Sequence, residues 1–447
     1  MPIAKPAWPD RLTVSSAPRL EGLDTLRAIA AVLVVFFHAS IPYMTYPLPH
    51  LVWPARDSHP SALADAITWS CECFLMPVFF VLAGFFSHGL ITARGEKYFL
   101  ADRTTRVWWV SFAFGVVVLP LSLVIWSLGW VADGIYVPQD IFNTGLPSQI
   151  DHELYGVGHI WFLQNLYIYC LLLAGVTGLA KFTSGDHAGI LNRGVNSLSF
   201  MLQSLDRMVL SVWKPLIAAI PCAAILYWDP RIVLGFYQQF IPVFSKLVYF
   251  AVFYFVGVVL SRNRRAVREK CRYGPSYLLI AASLYVITLP LIHAHVVVPL
   301  TGAPRVLLAS LVAAISSLAT FGLFSTFYQL KQGGNVATRY LAEASYWVYL
   351  VHVPLVGLTQ IAIAPLAISA FSKYLMAGST ALALSLMAYE AMARYSWLGE
   401  FLNGHRRTKG SDAEHDQPSV GRQPDSVQPH GRWAVRAPQI AELRREA

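Results

Sequence analysis

The chain has 447 residues, 55% hydrophobic and only 13% charged, with 34 lysines and arginines against 25 acidic residues for a net charge of +9. A soluble chain carries charge at about a quarter of its positions, so this composition, with a mean hydropathy of +0.49, excludes an ordinary soluble domain. The excess of positive charge sits in alternate segments between apolar runs, a pattern of membrane orientation rather than of nucleic-acid binding.

In chain order, a polar segment (1–22) precedes ten apolar runs at roughly 23–43, 66–91, 107–130, 159–180, 208–228, 240–260, 274–292, 304–328, 343–366 and 372–393. Each is long enough for a membrane helix. No small-residue cleavage site follows the first run, which therefore reads as an uncleaved span. Loop 92–106 holds Arg94, Lys97, Arg103 and Arg106, and loop 261–273 is the basic run SRNRRAVREKCRY. Segment 131–158 instead holds Asp133, Asp140, Asp151 and Glu153 and no lysine or arginine. The positive-inside rule then puts both termini in the cytoplasm, and an even number of spans agrees with that. The expected fold is all-α, a polytopic integral membrane bundle of about ten helices. It divides into a cytoplasmic segment (1–22), a transmembrane domain (23–393) and a disordered, Pro- and Gln-containing cytoplasmic tail (394–447). Cys71, Cys73, Cys170, Cys222 and Cys271 have no metal-binding or disulfide spacing and read as packing residues; no metal is expected.

The first span carries two ionisable groups, Arg27 and His38, in LDTLRAIAAVLVVFFHAS. Eleven positions at about 100° each return the chain to within about 20° of its starting direction, so the two share one helix face about 16 Å apart. Such groups are expensive in hydrocarbon and usually face a polar cavity. Asp24 lies one turn before Arg27 and can pair with it; Arg27 can equally snorkel to the inner headgroups. His38 has no snorkelling stem and is either a hydrogen-bonded structural residue or part of a site.

Further along, Glu72 opens the second span at its outer end, where it orients a histidine, binds the acceptor or simply faces water at the membrane boundary. Arg103 and Arg106 stand three apart at the inner mouth of the third span. They form a one-sided cationic fork suited to phosphate, or simply satisfy topology. His159 opens the fourth span beside Trp161, as an interfacial aromatic pair or a cavity group. In the ninth, Ser345 and His352 share a face but stand two turns, about 10 Å, apart. That spacing rules out direct activation of the serine and leaves His352 as a cavity residue. Glu390 and Arg394 have the spacing of an ordinary helix pair.

RLEGLDTLRAIAAVLVVFFH resembles the opening of the acyltransferase-3 family of membrane O-acyltransferases, in which a basic residue, ten positions and a histidine recur in the first span. FLMPVFFVLAGFF, FLADRTTRVW with its Arg-x-x-Arg, GHIWFLQNLYIY and ASYWVYLVHVPL resemble that family's later segments in the same order, over about residues 20–393. The wording is most similar to the glucan-biosynthesis protein C subgroup. Ala83 stands where many members have a serine, so no role for that hydroxyl carries over.

The resemblance implies transfer of an acyl group, of acetyl or succinyl class, from a cytoplasmic acyl-CoA-type donor to a hydroxyl of a periplasmic or cell-surface saccharide, at the bacterial inner membrane. It assigns the base to His38 and favours donor binding by Arg103 and Arg106. From the residues themselves, Arg27 joins the catalytic pair, and Glu72, His159, Trp161, Ser345 and His352 are expected to support the cavity. Spans 1, 2, 4 and 9 are expected to line that cavity. The expected partners are the bilayer and the saccharide acceptor, with acyl-CoA as a substrate rather than a bound cofactor and no nucleic acid. The competing class is a transporter exporting a saccharide or anion, for which intramembrane histidines and arginines serve equally well. A scaffold acting through the polar tail is a third.

Overall fold

The computed structural model describes residues 20–140, 147, 150, 156–183, 211–237, 239–330 and 336–403. Ten longer helices fall on the ten predicted spans, and there is no strand among the described residues. They are α1 (Glu21–Ser40), α2 (Ala62–Arg103), α3 (Trp109–Ala132), α4 (Trp161–Thr183) and α5 (Lys214–Trp228), then α6 (Phe244–Arg262), α7 (Gly274–Val297), α8 (Gly302–Gln329), α9 (Val336–Ile363) and α10 (Ala370–Ala388). Among the described residues, eight helical stretches are long and apolar enough to cross a membrane, one of which, Ala62–Ala132, contains both α2 and α3. At 15 residues, α5 is about 22 Å long, short of a hydrocarbon core of about 30 Å.

The surface agrees with a lipid surround. α3 exposes Phe112, Val116, Val117 and Leu128, and α7 exposes Leu279, Val286 and Ile287. Apolar faces of this extent in water would be an aggregation liability; in a bilayer they are the solvated faces. The chain is thus an all-α, multi-pass membrane protein.

Three sequence expectations change. The basic stretch 92–106 is helical rather than a loop, broken only at Gly95 (φ 80°, ψ 168°) and continuing through a π-helical turn, Thr104–Trp108, into α3. It folds as helix because Phe99, Asp102 and Val107 are buried together, and glycine supplies the left-handed break that a side chain would resist. Likewise 261–273 contains the helix Arg264–Lys270 and the 3-10 turn Cys271–Tyr273. The segment assigned to a disordered tail begins as structure: a π-helical turn (Tyr389–Ala393) leads to the helix Trp397–Asn403, held by buried Leu402. The rest of the tail lies outside the described residues.

Helices α2 and α6 cross in close contact, where Gly84 faces the carbonyl of Tyr254 and Gly257 faces the carbonyl of Val81. A Cβ at either position would overlap that oxygen, so the missing side chains set the interhelical distance. Beside this crossing, Phe80 packs against Phe162, Tyr169 and Phe250.

The end of the bundle bearing the α1–α2 and α3–α4 connections is called the upper end here, and the end bearing the basic segments the lower. Residues 41–61 form a strap across the upper end. Its bonds go to many elements: Tyr46 N–H to Asp65, Arg56 N–H to Asp133, the Trp130 indole to the Val52 carbonyl, and Phe236 N–H to the Pro49 carbonyl. It is locked by Lys373 Nζ, 2.7 Å from Asp57 Oδ2 and 2.9 Å from the Ala364 carbonyl.

Burial works to raise the Asp57 pKa, but the Lys373 hydrogen bond, the His59 N–H and the two positive charges outweigh it and leave the carboxyl below its ordinary range. A depressed carboxyl contributes stability above its unfolded pKa, about 3.9, and loses it as pH falls through the folded value. The apparent melting temperature in detergent should therefore drop more steeply below pH about 4 for the wild type than for Asp57→Asn. Parallel pH curves for the two proteins would dismiss the lock.

Candidate active site

A cavity of about 370 Å3 opens beneath the strap. His38 reaches it from the last turn of α1, Glu72 and Met76 from α2, and Leu119, Ser122 and Trp126 from α3. His159 and Trp161 enter at the start of α4, Lys246 and Phe250 on α6, and Tyr349 and Val353 on α9. The strap adds Leu48, Leu51, Val52 and Trp53 as its roof, and the 232–240 segment closes the side with Ile232, Phe236 and Phe240. Mostly aromatic and apolar walls with a few convergent polar groups are the usual make-up of a small-molecule site. The expectation of a cavity lined by spans 1, 2, 4 and 9 is therefore too narrow: α3, α6 and two connections complete it.

His38 is held from three sides. Its Nδ1 lies 2.9 Å from the Val34 carbonyl and 3.2 Å from His352 Nε2, while its ring packs against Phe37 and, at 5.8 Å between centroids, Trp53. Gln360 fastens the end of α1: its amide donates to the His38 and Ala39 carbonyls at 3.2 and 3.1 Å, and its oxygen accepts from the Trp53 indole at 2.6 Å. One side chain of α9 thus ties the helix bearing His38 to the roof of the cavity. His159 is clamped by the same helix: its Nε2 donates to the Leu350 carbonyl at 3.1 Å, and Tyr349 OH donates to the His159 carbonyl. The rings of His159 and His352 stand 5.4 Å apart.

Glu72 and Lys246 face the cavity from neighbouring helices. Lys246 Nζ sits 3.6 Å over the Trp161 ring, a cation–π contact. Just outside, Asp229 accepts from Tyr237 OH and Ser245 Oγ and pairs with Arg231 at 3.4 Å, anchoring the connection into α6. Among the described residues, no group of three or more His, Cys, Asp or Glu is arranged to hold a metal ion.

The other predicted site residues gather elsewhere. Arg27 Nη2 is 3.2 Å from Asp24 and donates at 3.0 Å to the Ala342 carbonyl. Arg106 pairs with Asp102 at 3.2 Å and Arg103 with the same carboxylate at 3.5 Å, while Tyr346 OH donates to the Arg106 carbonyl at 2.6 Å. Ser345 Oγ donates to the Ala342 carbonyl at 2.7 Å, not to His352. The single turn Ala342–Tyr346 of α9 therefore collects Arg27, Ser345 and the Arg-x-x-Arg segment at the lower end, and His352, two turns on, backs His38. His352 is fully buried and is not among the residues lining the cavity, which corrects its reading as a cavity residue. Arg27, Arg103, Arg106 and Ser345 do not line that cavity either.

Sequence reasoning missed Lys246, Gln360, Trp53 and Trp126. Lys246 carried a signal, a lone cation inside an apolar run; the two tryptophans had none, since tryptophan is common at membrane interfaces.

Fold and site together define a polytopic helical membrane protein with a histidine-bearing cavity under one end and an arginine cluster at the other, joined by one helix. The chain belongs to the acyltransferase-3 family, whose acyltransferase domain it matches over residues 20–390. It is similar to the glucans biosynthesis protein C of Salmonella typhi and of Salmonella typhimurium, with 28% identity over 167 residues in each case. Those matches cover 36% of this chain and 39% of each relative, so it aligns with well under half the length of either. No solved structure gives a significant match.

Proposed function

We propose that this chain is an O-acyltransferase of the bacterial inner membrane, moving an acyl group from a cytoplasmic acyl-CoA-type donor to a hydroxyl of a periplasmic or cell-surface saccharide. The observation that carries this reading is His38, on the wall of a cavity rich in aromatic faces with its Nε2 bonded to no described residue. Acyl transfer to an alcohol needs a base for the hydroxyl proton. The acceptor oxygen attacks the thioester carbonyl as its proton moves to His38 Nε2; the C–O bond forms, the C–S bond breaks, and the departing thiolate takes the proton back from His38. Imidazole suits both directions of that transfer.

The donor's phosphates belong with the arginines. Arg27, Arg103 and Arg106 flank one turn of α9, at the end that the positive-inside rule assigns to the cytoplasm. Arg27 lies eleven residues, about 16 Å, from His38 along α1. A donor anchored by phosphate at that end and reaching upward with a long thiol arm spans such a gap. For the acceptor, Glu72 and Lys246 offer ionisable hydrogen-bonding groups beside the faces of Trp161, Trp53 and Trp126. The name of the similar Salmonella proteins supports a glucan as acceptor.

The test is direct. Purified protein in detergent, given acyl-CoA and an oligosaccharide, should release free CoA in an acceptor-dependent manner, and envelope glycans of cells carrying the protein should gain one acyl mass. Uptake of the saccharide into sealed vesicles without an acyl donor, and no change in glycan mass, would replace the enzyme by a transporter.

A further inference from the structure

The lower-lying contacts of His352 determine which nitrogen of His38 faces the cavity. His352 Nδ1 lies 2.7 Å from the Tyr349 carbonyl and 3.1 Å from the Val348 carbonyl. Carbonyl oxygens only accept, so Nδ1 carries the proton. The ring is 0% exposed and touches tyrosine, two histidines and backbone, with no carboxylate. A charged imidazole there would be unpaired in a low-dielectric site. In the neutral ring with Nδ1 protonated, Nε2 is a bare acceptor, and it points at His38 Nδ1 from 3.2 Å. His38 Nδ1 must then be a donor, as the Val34 carbonyl at 2.9 Å also requires. The lone pair of His38 is left on Nε2, the ring nitrogen that no described residue occupies.

We propose that His352 is the positioning residue of the site: it accepts the Nδ1 proton of His38, fixes that tautomer and turns the Nε2 lone pair toward the acceptor hydroxyl. The inference rests on the reading of His38 as the base. It assigns His352 the role that an orienting third group plays behind a catalytic histidine, filled here by a second neutral imidazole whose own orientation is set by the carbonyls of α9. The Val34 carbonyl accepts the same proton through its second lone pair, beside the helical N–H of His38. His352 Nε2, by contrast, is an otherwise unused acceptor on a second helix that holds the ring from outside α1 and strengthens its bond as His38 becomes imidazolium. Pro354, inside α9, has no N–H to give to the Leu350 carbonyl four residues before it; that carbonyl instead takes the His159 Nε2 proton. The same stretch of α9 therefore orients both cavity histidines.

Two measurements on the full-length protein in bilayers decide this. Nitrogen-15 spectra of histidine-labelled protein, with the His38 signal assigned by its loss in His38→Gln, should show His38 protonated at Nδ1 and bare at Nε2. A His38 protonated at Nε2 overturns the inference whether or not the protein transfers acyl groups. In the transfer assay, His352→Phe should lower kcat by about 10–100-fold, the usual loss when the orienting partner of a functional histidine goes, with both KM values unchanged. His352→Gln, whose side-chain oxygen can accept the same proton, should recover most of that loss. Equal loss in the two variants, or wild-type kcat in His352→Phe, overturns it. If the wild type transfers nothing while the Nδ1-protonated signal is present, the acyl-transfer reading falls and the hydrogen-bonded pair stands as structure only.

Discussion

Replacing His38 by alanine is expected to lower kcat for acyl transfer by about 10²–10⁴-fold, the contribution of a positioned general base, and to leave KM for the acyl donor within a few-fold. The proposed function puts the donor at the far end of α1, where Arg27 bonds the Ala342 carbonyl and Asp24, and nothing in that contact involves the imidazole. The fold should tolerate the change. His38 bonds the backbone of its own helix and His352, while the end of α1 remains fastened by Gln360 through the His38 backbone carbonyl, which alanine retains. Steady-state release of CoA, with both substrates varied, checks this on protein shown by gel filtration to be monodisperse. Undiminished release would remove His38 from the chemistry; a large rise in donor KM with kcat intact would make it a binding residue instead.

The second large effect concerns assembly. Gly84→Leu should prevent accumulation of folded protein, and Gly257→Leu should do the same. Each added side chain begins with a Cβ overlapping a backbone oxygen of the other helix, Tyr254 in one case and Val81 in the other. A clash with a flexible side chain can be relieved by a rotamer; a clash with backbone moves the whole helix. Separating α2 from α6 also pulls Glu72 from Lys246 and opens the packing of Phe80 on Phe250, so the cost should exceed the 1–3 kcal/mol of ordinary overpacking. Gly95→Ala is the contrasting control: the left-handed φ of 80° is strained for alanine, but no atom lies within 4 Å of the added carbon. It should cost about 1–3 kcal/mol of backbone strain without separating any helices, with a smaller loss of folded yield than either leucine variant. Fluorescence-detected size exclusion of tagged variants measures all three, and a normal monodisperse peak for Gly84→Leu would show that the crossing is looser than described.

Much of the architecture was legible before any coordinates. Long apolar runs in a charge-poor chain have one stable solution in a bilayer, helices whose backbone groups are satisfied internally. The ten helices accordingly lie on the ten runs, with most ends displaced by a few residues and the end of α2 by about a dozen. The misplacements have a common cause. Hydropathy detects contact with lipid, and the segments around Phe99, Val267 and Leu402 are helices that bury apolar residues against protein at the membrane boundary. Polar flanks hid them.

For the site, the anomaly of a histidine in the first span was visible because a buried ionisable group is rare and costly. Its neighbours were not. Trp126, Lys246 and Gln360 are far from His38 along the chain and Trp53 lies in a connecting segment; apart from the lone cation Lys246, each is an ordinary residue in its own segment. Their assembly depends on helix packing, the strap of residues 41–61 and the crossing of α2 with α6, none of which a periodic pattern encodes. The Arg27–His38 spacing shows the same division. The helical repeat places both on one face, yet tertiary contacts send them to different surroundings, Arg27 to Asp24 and the Ala342 carbonyl and His38 to the cavity and His352.

By itself, then, the sequence determined that this chain is a helical membrane protein, where its helices run and which few side chains pay for being there, because hydrophobicity and the helical repeat are local properties. Only the tertiary structure decided that His352 stands behind His38 rather than beside it, that α9 connects the arginine cluster to the histidines, and that a lysine and a carboxylate share the cavity. Those are facts about which helices touch, and contact between helices is set by the fit of whole surfaces rather than by any one stretch of chain.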